Sequence, residues 1–164
     1  MKTDTNSYWK LFKPKASSLK LKGDDHETLF AELVDNLVKA GQLDEELRAL
    51  AKKTLVERER LASTGLGLGV SIPHVQLPGI TSAVCSLSIK PEGIDWRAVD
   101  GDPVQIFFVV LRPVEEGDEH DPETHIDMMR WITRLSRNDD FRRFALGAKT
   151  KKELIDLLKE MAGV

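Results

Sequence analysis

An eight-residue apolar run constrains the fold of this chain of 164 residues more than any other feature. The run is VQIFFVVL, residues 104–111, and Gln105 is its one polar residue. A strand with one solvated face alternates apolar and polar residues, whereas a strand covered on both faces need not. We therefore expect residues 104–111 to form a buried strand, in a chain whose length suits a single domain.

Helical periodicity lies on both sides of this strand in the sequence. Apolar residues recur at helical spacing from Leu29 to Val38 with Gly41 as a stop, and a second helix is predicted from about Asp44 toward Arg60. After the strand, a helix is predicted to begin near Pro122, with Ile126 and Met129 among the residues on its packed side. Two short helices follow; the first is expected to bury Phe141, Phe144 and Leu146, and the second begins at the capping-box pair Thr150 and Glu153.

Shorter strands are predicted around Val70 and Ile72 and from Val84 to Ile89. The connection GIDWRAVDGDP before residue 104 has the composition of a hairpin turn, which favours a mixed sheet over a purely parallel one. The sequence thus predicts an α/β fold: a single layered domain with a mixed β-sheet flanked by helices. Residues 1–18 are polar and basic, so we expect a flexible extension there, followed by the domain at residues 19–164.

Composition excludes several classes of function. The formal charge of −3 and pI near 5.8 argue against a general nucleic-acid binder. One cysteine, Cys85, excludes an intrachain disulfide framework and a multi-cysteine metal site, and its apolar neighbours favour an inert buried thiol. The sequence has neither a secretory signal nor an apolar run long enough to span a bilayer, so we expect a soluble cytoplasmic protein without direct membrane insertion.

The segment STGLGLGVSIPH, residues 63–74, carries the strongest chemical signal. Its glycines allow close approach of the backbone to a ligand. Pro73, which directly precedes His74, has one backbone angle fixed by its ring and lacks an N–H. A rigidly held imidazole beside amide donors suits phosphoryl transfer to histidine, although a half-buried structural histidine at a strand end fits the same spacing. A dinucleotide fingerprint fails because Val70 occupies the third glycine position, and no Gly-Lys-Ser/Thr of a P-loop follows.

The histidines and carboxylates further along favour no metal site. His120 and His125 flank the acidic turn HDPETH, but the sequence lacks a recognisable spacing of three ligands. We therefore expect no metal and no cofactor. A metal hydrolase built on His74, His120 and His125 is the weakest of the alternatives.

The string from Arg58 to Ile80 resembles the active-site region of enzyme IIA of the phosphoenolpyruvate-dependent sugar phosphotransferase system (PTS), of the fructose, mannitol and nitrogen-regulatory type. The matching elements are Arg58-Glu59, then Ser63-Thr64-Gly65-x-Gly67-x-Gly69, then Ile72-Pro73-His74, and later His125-Ile126. The resemblance extends over roughly residues 19–162, and Ser71 and Val75 are departures from it.

The resemblance implies a phosphotransferase component that forms a phosphohistidine. It implies that His74 is the phosphorylated nucleophile, that His125 is a companion histidine, and that the phosphate is bound by Arg58, Thr64, Gly65, Gly67 and Gly69. The implied donor is an HPr-type phosphocarrier protein, and the implied acceptor is a PTS IIB component or a regulatory target. The alternative is a nitrogen-type regulatory module that controls partner proteins without onward phosphotransfer. The sequence names neither a sugar nor an oligomeric state.

Overall fold

The structure, a computed structural model, describes residues 5–114 and 121–163. Its helices are α1 (His26–Lys39), α2 (Arg48–Leu61), α3 (Pro122–Arg137), α4 (Asp139–Leu146) and α5 (Lys151–Glu160), and its strands are β1 (Gly65–Gly67), β2 (Val70–Ser71), β3 (His74–Gln76), β4 (Val84–Ile94) and β5 (Val104–Arg112). Short 3-10 helices cover Thr5–Leu11, Pro14–Ala16 and Glu45–Leu47. The α/β fold and the mixed sheet that the sequence predicts are confirmed.

Strand β5 is the centre of the sheet. Strand β4 pairs antiparallel with it from Val84 opposite Leu111 to Ile89 opposite Ile106. Strands β2 and β3 pair with β5 in parallel, and because β4 already occupies one edge of β5, they follow one another along the other edge. Strand β1 adds an antiparallel hairpin to β2.

Alternate residues of β5 supply two hydrophobic cores, one on each face of the sheet. Phe107, Val109 and Leu111 belong to a core closed by α1 and α2. Ile106, Phe108 and Val110 belong to the opposite core, which contains apolar side chains of α3, α4 and α5. A strand that is buried on both faces explains the uniform apolar run in the sequence.

Residues 8–18 are packed into the domain, which corrects the expectation of a flexible extension. Tyr8, Phe12 and Ala16 are at most 1 % exposed, and Phe12 bridges to Cys85 of β4. The backbone continues this pairing through hydrogen bonds from Leu21 to Ile89 O and from Ile89 to Ser18 O. The polar composition of the segment conceals these three apolar side chains, which are spaced four residues apart. Tyr8 and Phe12 belong to the core beside α3, and Ala16 belongs to the core closed by α1 and α2.

Helix boundaries follow the capping signals closely, but some predicted core positions are wrong. Thr150 Oγ1 accepts the N–H of Glu153 at 3.0 Å, as the capping box requires. Ile126 is 49 % exposed and Phe144 is 54 % exposed, whereas α3 buries Met128 and Trp131 instead. Leu146, also expected in the core, is exposed as well. Periodicity shows which residues form the apolar side of a helix. Which of those residues are buried depends on how the neighbouring layer packs against that side.

The serines of β4 provide a matched test of this packing. Ser86 and Ser88 are both fully buried, and Ser86 pairs with Val109 on the α1 and α2 side. Ser88 Oγ accepts the N–H of Ser18 at 3.1 Å, whereas Ser86 Oγ has no hydrogen-bond partner among the described residues.

We expect Ser86→Ala to leave the free energy of unfolding unchanged or to raise it by up to ~1 kcal/mol, because it removes a desolvated hydroxyl that makes no bond. Ser88→Ala is expected to lower the free energy of unfolding by ~1 kcal/mol, because the N–H of Ser18 loses its acceptor. Urea denaturation followed by circular dichroism measures both changes. A larger loss for Ser86→Ala than for Ser88→Ala would contradict this account.

Candidate functional site

His74 opens β3, on the edge of β5. It pairs with Val110, and the N–H of Val110 donates to the carbonyl of the preceding Pro73 at 2.9 Å. Residues directly opposite in a pleated sheet point to the same face, so His74 shares the face of Val110 and is directed toward the α3 layer. Its side chain is half-buried at the surface of that layer.

A hydrogen bond fixes the tautomer of His74. Nδ1 lies 2.6 Å from the carbonyl oxygen of Ile72. A carbonyl oxygen only accepts hydrogen bonds, so Nδ1 carries the proton and donates it. The neutral ring therefore has its lone pair on Nε2, which is the nitrogen available as a nucleophile.

His125 lies in the first turns of α3, which the sequence positions through its N-cap. The Asp121 side chain accepts the N–H of Glu123 at 3.2 Å and the hydroxyl of Thr124 at 3.2 Å. The N–H of His125 donates to the carbonyl of Asp121 at 3.0 Å, so the residue lies within the regular helix.

The structure brings the two predicted histidines into one cavity. This open cavity of about 470 Å³ is lined by His74, His125, Ile126, Met129, Arg130, Thr133 and Arg134. Its floor is largely apolar, and among its described lining residues two are arginines and none is a carboxylate. Two guanidinium groups and no fixed negative charge make the cavity suited to an anionic group such as a phosphoryl dianion. Neither arginine was among the predicted site residues; both follow Ile126 at four-residue spacing, which places all three along one side of α3.

The glycine segment forms the β1–β2 hairpin, and the described cavity lining does not include it. A Cβ at Gly65 would lie 2.7 Å from the Cβ of Ala98, and Gly67 has a φ of 93°, so packing and turn geometry both require glycine. The N–H of Gly65 donates to Ser63 Oγ at 3.0 Å, and the N–H of Leu68 donates to Asp100 at 2.9 Å. The bond from Leu68 and a second one from Asp102 lower the pKa of Asp100.

Thr64 and Arg58 also lie outside the described lining of the cavity. The N–H and hydroxyl of Thr64 both donate to the buried carboxylate of Glu59 at 2.5 Å, and Thr64 Oγ1 lies 2.8 Å from Ser71 Oγ. Ser71 pairs with Phe107, so this network is on the α1 and α2 side of the sheet. Arg58 donates to the carbonyl of Ala62 at the end of its own helix, at 2.7 Å. Contact of Arg58, Thr64, Gly65, Gly67 and Gly69 with a phosphate stays a prediction.

The remaining sequence candidates carry no further chemistry in the described residues. Within residues 5–114 and 121–163, no group of three or more His, Cys, Asp or Glu is placed to hold a metal ion. His120 and most of the acidic loop at 115–124 lie outside the described residues. Cys85 is fully buried, and burial raises the pKa of its thiol to about 12, which makes it unreactive near neutral pH. Among the same residues, no helix has both the length and the apolar character needed to cross a bilayer.

Solved structures of IIA proteins share this fold. The nitrogen regulatory protein IIA-Ntr of Neisseria meningitidis superposes with a TM-score of 0.75 at 24% identity, over 92% of this chain and 97% of that one. The mannitol enzyme IIA of Escherichia coli, solved as a complex with phosphorylated enzyme IIB, gives a TM-score of 0.68 at 17% identity, over 91% and 97% of the two chains. At these identities the likeness establishes the fold.

Sequence comparison identifies the family. The fructose-specific EIIA component of the PTS from Haloferax volcanii is 32% identical over 79% of this chain and 79% of its own length. The nitrogen regulatory protein of Pseudomonas aeruginosa is 33% identical over 79% of this chain and 80% of its own length. The family described as phosphoenolpyruvate-dependent sugar phosphotransferase system, EIIA 2, matches residues 10–161, which include part of the N-terminal segment. The chain therefore belongs to this EIIA family of the PTS.

Proposed function

We propose that the protein is a phosphohistidine carrier that accepts a phosphoryl group on His74 from an HPr-type phosphocarrier protein and passes it to a PTS IIB component. The observation that carries the proposal is the hydrogen bond from Nδ1 of His74 to the Ile72 carbonyl at 2.6 Å. It presents the Nε2 lone pair in a cavity that His125 shares. Family membership supports the same chemistry.

The transfer needs only one bond exchange. The Nε2 lone pair of His74 attacks the phosphorus of the donor's phosphohistidine, and the P–N bond of the donor breaks and leaves its electron pair on the donor's ring nitrogen. The ring of His74 becomes positively charged as the new P–N bond forms, and the carbonyl dipole of Ile72, 2.6 Å from Nδ1, stabilises that charge. Onward transfer to the acceptor is the same exchange in reverse. The exchange requires no cofactor.

Neighbouring groups have supporting roles. We assign His125 as a donor of a hydrogen bond to the phosphoryl oxygens, because it lines the same cavity as His74. Arg130 and Arg134 add positive charge at the rim. The Glu59–Thr64 network and the glycine hairpin hold the backbone that leads into His74, through the hydrogen bond from Ile72 N to Thr64 O at 3.1 Å. The solved mannitol IIA–IIB complex supports a IIB acceptor, and such partners imply a cytoplasmic location.

Incubation with phosphoenolpyruvate, enzyme I and HPr-type proteins is expected to label the wild-type chain with one acid-labile, base-stable phosphoryl group. His74→Gln replaces the nucleophilic imidazole with an amide of similar size, so this variant is expected to take no label. Mass spectrometry of the intact protein measures both. Equal labelling of wild type and His74→Gln would refute the assignment of His74.

We expect His125→Ala to bind the donor with unchanged affinity and to accept the phosphoryl group about 10²–10³-fold more slowly, because a donor to the transferring oxygens is lost. His125→Gln retains an N–H donor and is expected to recover part of the rate. Rapid-quench measurement of the transfer and calorimetry of the complex separate the two effects. Transfer by His125→Ala at the wild-type rate would remove His125 from the site.

A nitrogen-type regulatory module is the second candidate function. Similarity to a nitrogen regulatory protein at 33% identity favours it, since a protein with the same site and no onward transfer can use phosphorylation as a signal. In this case the charge on His74 controls which partners bind.

The regulatory candidate predicts that His74→Ala and His74→Asp capture different sets of partners, because only Asp places negative charge in the cavity. Quantitative affinity capture followed by mass spectrometry makes the comparison, with wild type before and after phosphorylation as the reference. Partner sets that do not differ among the four samples would exclude control by phosphorylation. Onward transfer to a purified IIB protein would favour the carrier role.

A further inference from the structure

The solvent-facing side of α3 beside His74 combines apolar side chains with arginines. We call it the α3 face and define it by Ile126, Met129, Arg130, Thr133 and Arg134, the residues of α3 that, with His125, line the His74 cavity. Ile126 is 49 % exposed although α3 offers Trp131 and Ile132 to the core. Ile126 and Met129 lie together among polar side chains, and an apolar patch rimmed by polar residues is typical of a protein-interaction site.

Positive charge borders the apolar part of this face. The side chain of Arg130 is 70 % exposed, and its ion pair with Asp127 is long, at 3.7 Å, so its charge is largely available. Arg137 is exposed and continues the row beyond Arg134 at helical spacing. Three arginines over about 10 Å of helix contrast with the formal charge of −3 for the whole chain.

Phosphoryl exchange determines where the donor protein must bind. The donor's phosphohistidine has to reach Nε2 of His74, so the surface around the donor's reactive group must lie against the surface that adjoins His74. The α3 face is the part of that surface formed by the helix that carries His125. Apolar centres with arginines at their border are typical of protein interfaces.

We propose that the α3 face is the docking site for the phosphoryl donor protein, and that this donor presents an apolar side chain to Ile126 and Met129 within a border of carboxylates that pair with Arg130, Arg134 and Arg137. The inference rests on the proposed function and adds the partner's chemistry to it. The arginines attract an acidic surface and oppose a basic one, so the charge of the donor's face decides which donors are used.

Arg130→Glu tests the proposal, and Arg143→Glu is its matched control. Arg143 lies on α4, is 71 % exposed and pairs with an aspartate three residues earlier, as Arg130 does. The donors are phosphorylated HPr-type proteins, one with an acidic and one with a basic surface around its histidine. The readout is the second-order rate constant of transfer at ~20 mM and ~200 mM NaCl, which differ threefold in screening length.

We expect wild type to react at least about tenfold faster with the acidic donor, and to lose much of that advantage at the higher salt concentration. Arg130→Glu is expected to slow the acidic donor about tenfold or more, and Arg137→Glu, which lies outside the described cavity lining, is expected to slow it as well, while Arg143→Glu stays close to wild type. Ile126→Asp is expected to slow the same donor. Equal effects of the two arginine changes, or a faster reaction with the basic donor, would overturn the proposal.

Phosphoramidate separates failure of docking from failure of the proposed function. Its P–N bond breaks with release of ammonia as the bond to Nε2 forms, so labelling of His74 by this small donor needs no protein surface. Arg137 lies outside the described lining of the cavity, so Arg137→Glu is expected to take label from phosphoramidate as wild type does. Equal labelling of these two by phosphoramidate, with selective loss of the protein donor in Arg137→Glu, supports docking on α3. No labelling of His74 by any donor would refute the function and the inference together, whereas labelling by every donor without an effect of Arg130 would refute the inference alone.

Discussion

Burial of β5 on both faces is the constraint on which the rest of the structure depends. A strand in this position has no water to satisfy its backbone, so its N–H and C=O groups must pair with other strands along both edges. Strand β4 satisfies one edge, and β2 with β3 satisfies the other. Two helical layers then cover the apolar side chains that alternate between the faces. Loss of either helical layer would expose the apolar side chains on one face of β5 to water.

The position of His74 follows from this arrangement. Because β2 and β3 lie end to end along the same edge of β5, the chain between them must remain extended, and Pro73 sits at the junction. The pleat then directs His74 toward α3 and Val75 toward the opposite core. The ring of His74 is thus held by the sheet, while His125, which lines the same cavity, is held by a separately capped helix. The cavity forms where these two rigid elements meet.

Sequence reasoning located the secondary structure and the two histidines, because their signals are local. The run at residues 104–111, the capping residue Thr150 and the Pro73–His74 pair each act within a few residues of the chain. The side of the sheet that a residue faces is not local information. Thr64 is close to His74 in sequence, yet it bonds Glu59 and Ser71 on the other face of the sheet. The burial of Tyr8 and Phe12 likewise depends on a layer more than 100 residues away, as the contact of Tyr8 with Trp131 shows.

The Ile72 carbonyl has one further consequence. An imidazole can be substituted at either nitrogen, and the two regioisomers differ in hydrolytic lifetime and in the shape that a reader domain or an antibody would recognise. At residue 74 one nitrogen is occupied by its hydrogen bond to the main chain. The backbone therefore favours substitution at Nε2, whichever reagent delivers the group.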